Sequence, residues 1–438
     1  MQNDCFPEAI SGWEKHPLGF IADISPRYPV KKGALYPFVE MAAVGENFAG
    51  ILRFGERKME GSGLSKFRAG DTLFAKITPC PENGKVAYVP MLPAPYGLGS
   101  TEFIVLSPKS DCNPKFLYHL ACCHAVRGRA TSRMEGSTGR QRVPEDVFQK
   151  RLLVPIPPKE EQTAIAGFLD AVGLVIEKIS VSIAQSETLR KSLLAELLSL
   201  GIASDGHIRS RDRAPDSFVQ TRLGHLPDEW RLSTVGMEFD IQTGFTLNAG
   251  RRPRYRKRPY LRVANVQRDA LDLDDVQELE ARDGEFAPRS LKVDDLLVVE
   301  GHADRMQIGR CARITTAAEG MTFQNHLFRL RTRGNVLPYF GCLWLNSEYA
   351  QRYWNARCAT SSGLNTINQR ALRRLVIPIP SKLEQERISE IISSHRGQGE
   401  ALRARHQAYV NLQSALMNEL LAGRVRVSSI RPEVAGAA

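Results

Sequence analysis

The sequence predicts an α+β protein in which two tandem mixed α/β domains are each followed by one long helix. The phrase PIPPKEEQTAI at 155–165 returns as PIPSKLEQERI at 378–388, and each copy opens a long apolar stripe at helical spacing. Short apolar runs separated by Gly, Pro and Asn residues precede each copy, which is typical of strands and turns. We therefore expect a pseudo-twofold internal repeat whose two long helices pack as an antiparallel coiled coil.

The repeat extends along most of the chain. Gln162 and Gln385 lie 223 residues apart, and Glu196 and Glu419 near the helix ends keep the same offset. Weaker matches occur upstream in the same order, which indicates a tandem duplication. The predicted segments are 1–155 (first domain), 156–201 (first long helix), 202–222 (linker), 223–378 (second domain), 379–423 (second long helix) and 424–438 (frayed tail).

Strands and short helices are predicted within each domain. Apolar or alternating runs predict strands at 38–44, 72–77, 103–106, 261–266, 296–299 and 327–330. Helical spacing of apolar residues predicts shorter helices at 115–127 and 338–355. Each domain therefore combines both kinds of element over about 150 residues, a usual size for a domain.

The repeated phrase predicts the start of each long helix. Proline is tolerated in a first helical turn, and the glutamates that follow it favour the positive end of the helix. The stripe then continues at alternating spacings of three and four residues, as in a coiled coil, and it includes Leu189 and Leu412. The residues predicted to pair the helices or bind a partner are Ile165, Phe168, Val172, Ile179, Leu193, Leu197, Ile388, Ile391, Leu402, Leu416 and Leu420.

The overall composition favours a soluble protein with an acidic partner. The formal charge of +11 indicates nucleic acid first and an anionic membrane second. The N-terminus has no basic segment leading into an apolar run, and no uninterrupted apolar stretch approaches about 18 residues, so neither secretion nor membrane insertion is expected. Eight cysteines without a C-x-x-C pair are typical of reduced thiols. These features predict a cytoplasmic protein.

Motifs for catalysis and for cofactors are missing from the sequence. It has no G-x-x-x-x-G-K-[ST] phosphate loop, no G-x-G-x-x-G dinucleotide turn, no N/D-P-P-Y/F signature of amino-methyltransferases and no G-x-S-x-G nucleophile elbow. The segment HLACCH, with His119, Cys122, Cys123 and His124, lacks a second pair of ligands for a zinc tetrahedron, so packing of a helix explains it better. We therefore predict a non-catalytic chain without a metal or cofactor of its own.

The candidate DNA-binding residues are basic, amide or aromatic side chains in turn regions. The stretch RRPRYRKRPY at 251–260 interleaves Arg and Tyr, which suits phosphate contact, although a solvated charged loop is the alternative. The first domain has only VKKGALYP at 30–37 in the corresponding place, so the two domains should read different sequences. The predicted contacts of the basic stretch are Arg251, Arg252, Arg254, Tyr255, Arg256, Lys257 and Arg258. The candidates for base reading are Lys76, Asn83, Lys85, Arg140, Gln141 and Arg142 in the first domain and Arg305, Gln307, Arg310, Asn325, Asn365, Asn368 and Gln369 in the second.

The chain resembles the specificity subunit of Type I restriction-modification enzymes over essentially its whole length. The likeness is carried by the helix ends LLAELL and LMNELL, by LGHLPDEW at 223–230, and by Pro157, Lys159, Glu161, Gln162 and Ile165 with their counterparts Pro380, Lys382, Glu384, Gln385 and Ile388. The resemblance implies a non-catalytic DNA reader with two target recognition domains and an asymmetric bipartite target. The partners that it implies are double-stranded DNA, two methyltransferase subunits and, for cleavage, motor-nuclease subunits. S-adenosylmethionine, ATP and Mg²⁺ would belong to those partners.

Other classes of function stay open at this point. The chain could serve a related methyltransferase-based defence system, which the methyltransferase encoded nearby would reveal. A coiled-coil scaffold with a basic surface would bind DNA without sequence preference and with steep salt dependence. An enzyme with an unrecognised active site would methylate DNA as an isolated chain.

Overall fold

The computed structural model describes residues 4–7, 12–61, 63–137, 139–361 and 363–427. The chain divides into two compact units: unit 1 comprises Met1–Val181 and Arg403–Ala438, and unit 2 comprises Ser182–Leu402. Each unit is a mixed α/β structure, and both take part of each long helix. Among the described residues, no helix has both the length and the apolar character needed to cross a membrane.

Unit 1 is built from two main sheets, short helices and parts of both long helices. One sheet has strand order β2-β9-β6-β7, and in the other β3 pairs with β4 in antiparallel and with β8 in parallel orientation. β1 pairs with β10 just before α3 begins. These elements are β1 (Lys15–Pro17), β2 (Ala22–Ile24), β3 (Leu35–Val39), β4 (Gly55–Lys58), β5 (Ser65–Phe67), β6 (Thr72–Ala75), β7 (Val86–Tyr88), β8 (Gly97–Gly99), β9 (Phe103–Pro108), α1 (Pro114–Cys122), α2 (His124–Thr131), β10 (Leu153–Pro155) and α3 (Lys159–Leu197).

The β2-β9-β6-β7 sheet is buried on both faces, because neighbouring residues of a strand point in opposite directions. On β6, Phe74 joins the core formed with α1, and Leu73 joins the core on the opposite face. On β9, Ile104 and Val105 divide in the same way. A one-residue slip would exchange these faces, so the burial fixes the register and the positions of the loops at the sheet edge.

Unit 2 has the same order of strands in its main sheets. Strand order β14-β23-β19-β21 corresponds to β2-β9-β6-β7, and β15 pairs with β18 in antiparallel and with β22 in parallel orientation. β13 pairs with β26 just before α9 begins. The elements are β11 (Phe218–Thr221), β12 (Gly224–Pro227), β13 (Arg231–Thr234), α4 (Val235–Glu238), β14 (Phe239–Thr243), β15 (Lys257–Leu261), β16 (Val266–Gln267), β17 (Ala270–Leu271), β18 (Gln277–Glu280), α5 (Asp283–Phe286), β19 (Leu296–Val299), β20 (Gly301–His302), β21 (Cys311–Arg313), β22 (Thr322–Phe323), β23 (Leu327–Thr332), α6 (Pro338–Leu345), α7 (Glu348–Arg357), β24 (Ala359–Ser361), β25 (Leu364–Thr366), α8 (Gln369–Arg374), β26 (Val376–Ile379) and α9 (Lys382–Leu421).

A buried glutamine fixes the start of each long helix. In α3, Gln162 accepts a hydrogen bond from the backbone of Asn113 (2.8 Å) and donates to the carbonyl of Pro157 (2.9 Å). In α9, Gln385 accepts from the backbone of Leu337 (2.8 Å) and donates to a carbonyl of the preceding phrase (3.0 Å). Asn113 and Leu337 directly precede α1 and α6, so each glutamine ties a long helix to the start of a short one. This bonding gives the repeated phrase a physical role, because buried backbone groups need partners.

The predicted apolar stripe is buried unevenly. Leu189 and Leu412 are 54% and 46% exposed, so the prediction that they pack in the stripe is wrong. A straight helix has 3.6 residues per turn and drifts away from a seam of period 3.5, which explains why part of the pattern turns outward. The other predicted residues are buried (Ile165, Ile179, Leu197, Ile388 and Leu420) or half-buried (Phe168, Val172, Leu193, Ile391, Leu402 and Leu416).

Four predicted elements are interrupted. The helix predicted at 115–127 breaks at Cys123 into α1 and α2, and the strand predicted at 261–266 ends at Leu261 before a 3-10 turn. The strand predicted at 38–44 ends at Val39, where a short 3-10 turn begins. The helix predicted at 338–355 consists of α6 and α7, because Ser347 starts a new helix by accepting a hydrogen bond from the backbone of Ala350 (3.3 Å). The local capping residue therefore overrides the continuous apolar pattern.

The segments predicted as linker and tail contain packed residues. In the linker at 202–222, Ile202 is buried and Arg209 forms an ion pair with Glu384. In the tail, Arg426 forms an ion pair with a carboxylate of α3, whereas residues 428–438 lie outside the described part of the chain.

Candidate nucleic-acid interface

One end of the basic stretch in unit 2 is fastened by Arg251. Its side chain makes hydrogen bonds to Glu285 of α5 at 2.6 and 3.0 Å and to the carbonyl of Glu280 at 3.2 Å. Its guanidinium also lies 4.8 Å from the centre of the Phe245 ring. These hydrogen bonds from Arg251 lower the pKa of Glu285 to about 2. Arg251 therefore anchors the loop, and its contact with DNA stays a prediction.

The other end of the stretch is paired with acidic side chains. Arg258 pairs with Asp283 at 2.5 Å, and Arg256 lies 3.9 Å from the same carboxylate. Lys257 lies 3.9 Å from Glu278 of β18. Nearby opposite charges reduce the field that reaches a distant phosphate. The loop therefore attracts DNA less strongly than its sequence alone indicates.

The apex of the stretch is exposed to solvent. Tyr255 is 93% exposed, and Arg252 and Arg254 are exposed beside it. Within the described part of the chain, neither arginine side chain makes a hydrogen bond or an ion pair. These three side chains, which we call the apex residues, are the members of the stretch that can reach another molecule.

Unit 1 has a different charge pattern in the corresponding place. Lys31 and Lys32 precede β3 and are exposed, in agreement with the sequence. The exposed strand β4, which pairs with β3, adds Arg57 and Lys58. In the sequence, the short charged run FGERK is only a weak signal, and strand pairing is what brings it beside the two lysines. β4 is therefore a basic surface that the prediction missed.

A second group of candidates lies at one edge of the β2-β9-β6-β7 sheet. The loop after β6, the turn before β9 and the segment after α2 meet there. The backbone N–H of Lys76 donates to the carbonyl of Glu102 (2.9 Å), and the N–H of Thr78 donates to the carbonyl of Gln141 (3.0 Å). The structure thus brings together Lys76, Asn83, Lys85, Arg140, Gln141 and Arg142.

Several side chains of this group hold the loops in place. Arg142 makes two hydrogen bonds to Glu102 at 2.8 and 2.9 Å, which lower the pKa of that carboxyl. Asn83 donates to Glu46 at 3.1 Å, and Lys85 donates to a backbone carbonyl at 3.2 Å. In the described part of the chain, the candidates without a side-chain hydrogen bond are Lys76, Arg140 and Gln141.

The corresponding edge of unit 2 buries two of its candidates. Arg310 donates to the carbonyl of Val263 (2.6 Å) and to the side chain of Gln307 (3.1 Å). Asn365 is also buried and donates to the carbonyl of Ala303 (2.8 Å). Arg310 and Asn365 therefore support the fold of unit 2, and their role as base contacts stays a prediction.

Two further candidates in unit 2 also have structural partners. Asn368 caps α8 by accepting a hydrogen bond from the backbone of Ala371 (2.8 Å). Arg305 is exposed but donates to the carbonyl of Asn355 (2.6 Å). Among described residues, the candidates whose side chains make no hydrogen bond are Asn325 and Gln369.

The HLACCH segment packs into the core of unit 1. The His119 side chain makes a hydrogen bond of 2.8 Å to Asp170 of α3. Cys122 and Cys123 are buried free thiols, and burial raises the pKa of Cys123 to about 11. Across the described ranges, no group of three or more His, Cys, Asp or Glu residues is arranged to hold a metal ion.

Comparison with known proteins shows which family the first part of the chain resembles. Residues 10–185 match the family model of the Type I restriction modification DNA specificity domain. Over these residues the chain is similar to that family. It is 32% identical over 200 residues to the specificity subunit of Type I restriction enzyme EcoEI from Escherichia coli, a match that covers 44% of this chain and 33% of that protein. It is 35% identical over 162 residues to the EcoAI specificity subunit from the same organism, covering 36% of this chain and 27% of that protein.

The likeness in fold extends further than the likeness in sequence. The matched segments span a third or less of the length of these two relatives. A chain from a structure concerning complex assembly and conformational transition of the type I R-M system has a TM-score of 0.62 at 19% identity, and the match covers 94% of this chain and 98% of that one. The mixed α/β fold of this chain is thus shared with that structure across nearly its whole length.

Proposed function

We propose that this chain is the DNA-binding specificity subunit of a type I restriction-modification system and performs no chemistry itself. The observation that carries the proposal is the shared strand order of the two units, combined with different side chains in their corresponding loops. Different side chains fit different patterns of base edges. The target is therefore bipartite and asymmetric, with one half-site for each unit.

Shared cores support antiparallel pairing of the long helices. In unit 1, Ile165 near the start of α3 shares a core with Leu420 near the end of α9. In unit 2, Leu197 at the end of α3 shares a core with Ile388 near the start of α9. We infer that the helices form an antiparallel coiled coil and that a tandem duplication produced two recognition domains related by a pseudo-twofold axis.

The apex residues are proposed to contact DNA phosphates. Replacing Arg252 and Arg254 by Ala should weaken binding to a labelled random-sequence duplex. It should also reduce the slope of log affinity against log salt by about 2, because each lost phosphate contact removes about 0.9. The matched control is Lys191→Ala, which removes an exposed cation from α3 and should leave the slope unchanged. An unchanged slope in the double variant would remove the apex from the interface.

Base reading is assigned to the side chains without structural partners at the two sheet edges. In unit 1 these include Arg140 and Gln141, and in unit 2 they are Asn325 and Gln369. A bidentate contact discriminates against a wrong base by about 1–3 kcal/mol. Gln141→Ala should therefore relax one position of one half-site and leave the other half-site unchanged, as measured by methylation of a randomised target library.

The long helices are proposed to hold two methyltransferase subunits, which motor-nuclease subunits join for cleavage. Leu189 on α3 and Leu412 on α9 are exposed and lie at equivalent positions of the repeat. Two equivalent apolar side chains on two equivalent helices suit two copies of one partner. S-adenosylmethionine, ATP and Mg²⁺ are assigned to those partners, and none to this chain.

Modified-base sequencing of the host genome, with and without this gene, tests the proposal. Deletion should remove methylation from one gapped, asymmetric motif. A symmetric or ungapped motif would contradict reading by two different units. No change in methylation, combined with DNA binding that lacks sequence preference, would favour a non-specific scaffold.

A further inference from the structure

The carboxylate of Glu280 organises the backbone at the apex of the basic stretch. Glu280 lies on β18, and its oxygens accept hydrogen bonds from three consecutive backbone N–H groups. Oε2 accepts from Arg254 (2.8 Å) and Tyr255 (2.9 Å), and Oε1 accepts from Arg256 (2.9 Å). Glu280 is also the cross-strand partner of Lys257. The apex is thus fastened to an ordered strand.

Three convergent N–H groups form a backbone concavity of the kind that binds anions. In this protein the anion is its own carboxylate. Hydrogen bonds from the Arg254 backbone and its two neighbours lower the pKa of Glu280, so the group is charged at neutral pH. Hydrogen bonds to an ionised acceptor are stronger than those between neutral groups. The loop therefore has a defined shape without DNA.

A defined loop shape bears directly on DNA affinity. Arg254 and Tyr255 project from the segment whose N–H groups Glu280 holds, and Arg252 lies two residues before that segment. Fixing the backbone of a residue costs conformational entropy. A loop that is already ordered avoids this loss when its side chains meet the phosphates.

We propose that Glu280 is a positioning residue for DNA binding, an acidic side chain that strengthens binding to a polyanion by shaping the loop that carries Arg252, Arg254 and Tyr255. The inference rests on the proposed function and deepens it. It also opposes simple electrostatics, in which loss of an acidic residue beside a DNA-binding loop strengthens binding.

The substitutions Glu280→Ala and Glu278→Ala form a matched pair that separates the two effects. Both residues lie on β18, and each change removes one negative charge beside the basic stretch. Glu278 lies 3.9 Å from Lys257 and, in the described part of the chain, accepts no backbone hydrogen bond from the apex. The two variants therefore differ mainly in whether the loop keeps its shape.

Binding of the full chain to a labelled random-sequence duplex gives the first measurement. Glu280→Ala should lower affinity on the order of tenfold, because binding must then order the released backbone. Glu278→Ala should leave affinity unchanged or raise it by up to about threefold, the effect of removing one surface charge. Glu280→Gln, which keeps one acceptor oxygen, should give an intermediate affinity.

Limited trypsin digestion without DNA gives a second, independent measurement. Cleavage after Arg254 and Arg256, neither of which precedes a proline, should be faster in Glu280→Ala than in Glu278→Ala or the unsubstituted chain. Hydrogen exchange in strands β19 and β23 should stay unchanged, which shows that the fold of unit 2 is intact.

The outcomes separate this inference from the function on which it rests. Binding of Glu280→Ala that is equal to or tighter than that of the unsubstituted chain would overturn the positioning role and leave DNA binding standing. Failure of the unsubstituted chain to bind duplex DNA would overturn both.

Discussion

Replacing Glu384 by Gln tests the buried ion pair at the start of α9. The Glu384 carboxylate accepts hydrogen bonds from Arg209 (2.5 Å), from the indole of Trp230 (3.1 Å) and from the backbone of Ile202 (2.7 Å), all within unit 2. Glutamine has the same shape but no charge, and it replaces one acceptor oxygen with an N–H donor. The substitution therefore leaves the Arg209 guanidinium without its buried counter-ion.

Burial sets the expected magnitude, and the repeat supplies the control. The side chains of Glu384 and Arg209 are 7% and 13% exposed. The corresponding carboxylate in unit 1, Glu161, pairs with Arg426 at 2.5 Å, and these side chains are 24% and 35% exposed. Breaking a buried pair costs about 3–5 kcal/mol, whereas a more exposed pair contributes about 1 kcal/mol or less. If unit 2 loses about 3 kcal/mol of stability, the equilibrium constant for its opening rises by a factor on the order of 150.

Hydrogen exchange followed by mass spectrometry measures the two units separately, because core amides exchange when their own unit opens. Glu384→Gln should reduce protection in β19 and β23 on the order of 100-fold. Glu161→Gln should reduce protection in β6 and β9 by less than about tenfold. Equal losses in the two variants would refute the claim that burial sets the cost.

Three further predictions concern the glutamines, the exposed leucines and the anchor of the basic stretch. Gln385→Ala should lower the stability of unit 2 to urea by about 1–3 kcal/mol, because buried backbone groups lose their partners; no change would contradict this. Replacing the exposed Leu412 by Glu should abolish co-purification with the methyltransferase encoded nearby and leave the midpoint of urea unfolding unchanged. Replacing the half-buried Leu416 by Glu should lower that midpoint. The pKa of the Glu285 carboxyl should be about 2 by NMR and should rise towards its ordinary value of 4.5 in Arg251→Ala, remaining below it because the backbone N–H of Arg282 still donates to the carboxylate. Because folding lowers this pKa, the stability that the charged carboxyl contributes is present above pH 4.5 and is lost as the pH falls towards 2.

Local periodicity was sufficient to predict a large part of the fold. The strand predicted at 296–299 is β19, and the long helices begin at Lys159 and Lys382, close to their predicted starts at 156 and 379. These features depend on neighbouring residues, whose pattern is visible in the sequence. The exposure of Leu189 could not be predicted, because it depends on how far the helix turns between its buried contacts.

Residue type alone could locate the candidate interface but could not assign its members. Arg251 meets Glu285 at a separation of 34 residues, and Arg310 meets the carbonyl of Val263 at a separation of 47. Such partners are brought together by strand pairing between distant segments, which periodicity does not encode. Glu280 was missed for a related reason, because a search for residues that bind a polyanion passes over carboxylates.

The division of the chain into units also determines the order in which the protein can be completed during synthesis. Unit 2 is one continuous segment, Ser182–Leu402, whereas unit 1 needs both Met1–Val181 and Arg403–Ala438. At about 5–20 residues per second, the ribosome takes on the order of tens of seconds to make unit 2. Until residues 417–422 follow, Ile165 and Leu169 lack the α9 residues that complete their core. The nascent chain therefore carries an uncovered apolar surface through the synthesis of unit 2, and the unit that is started first is the last to be finished.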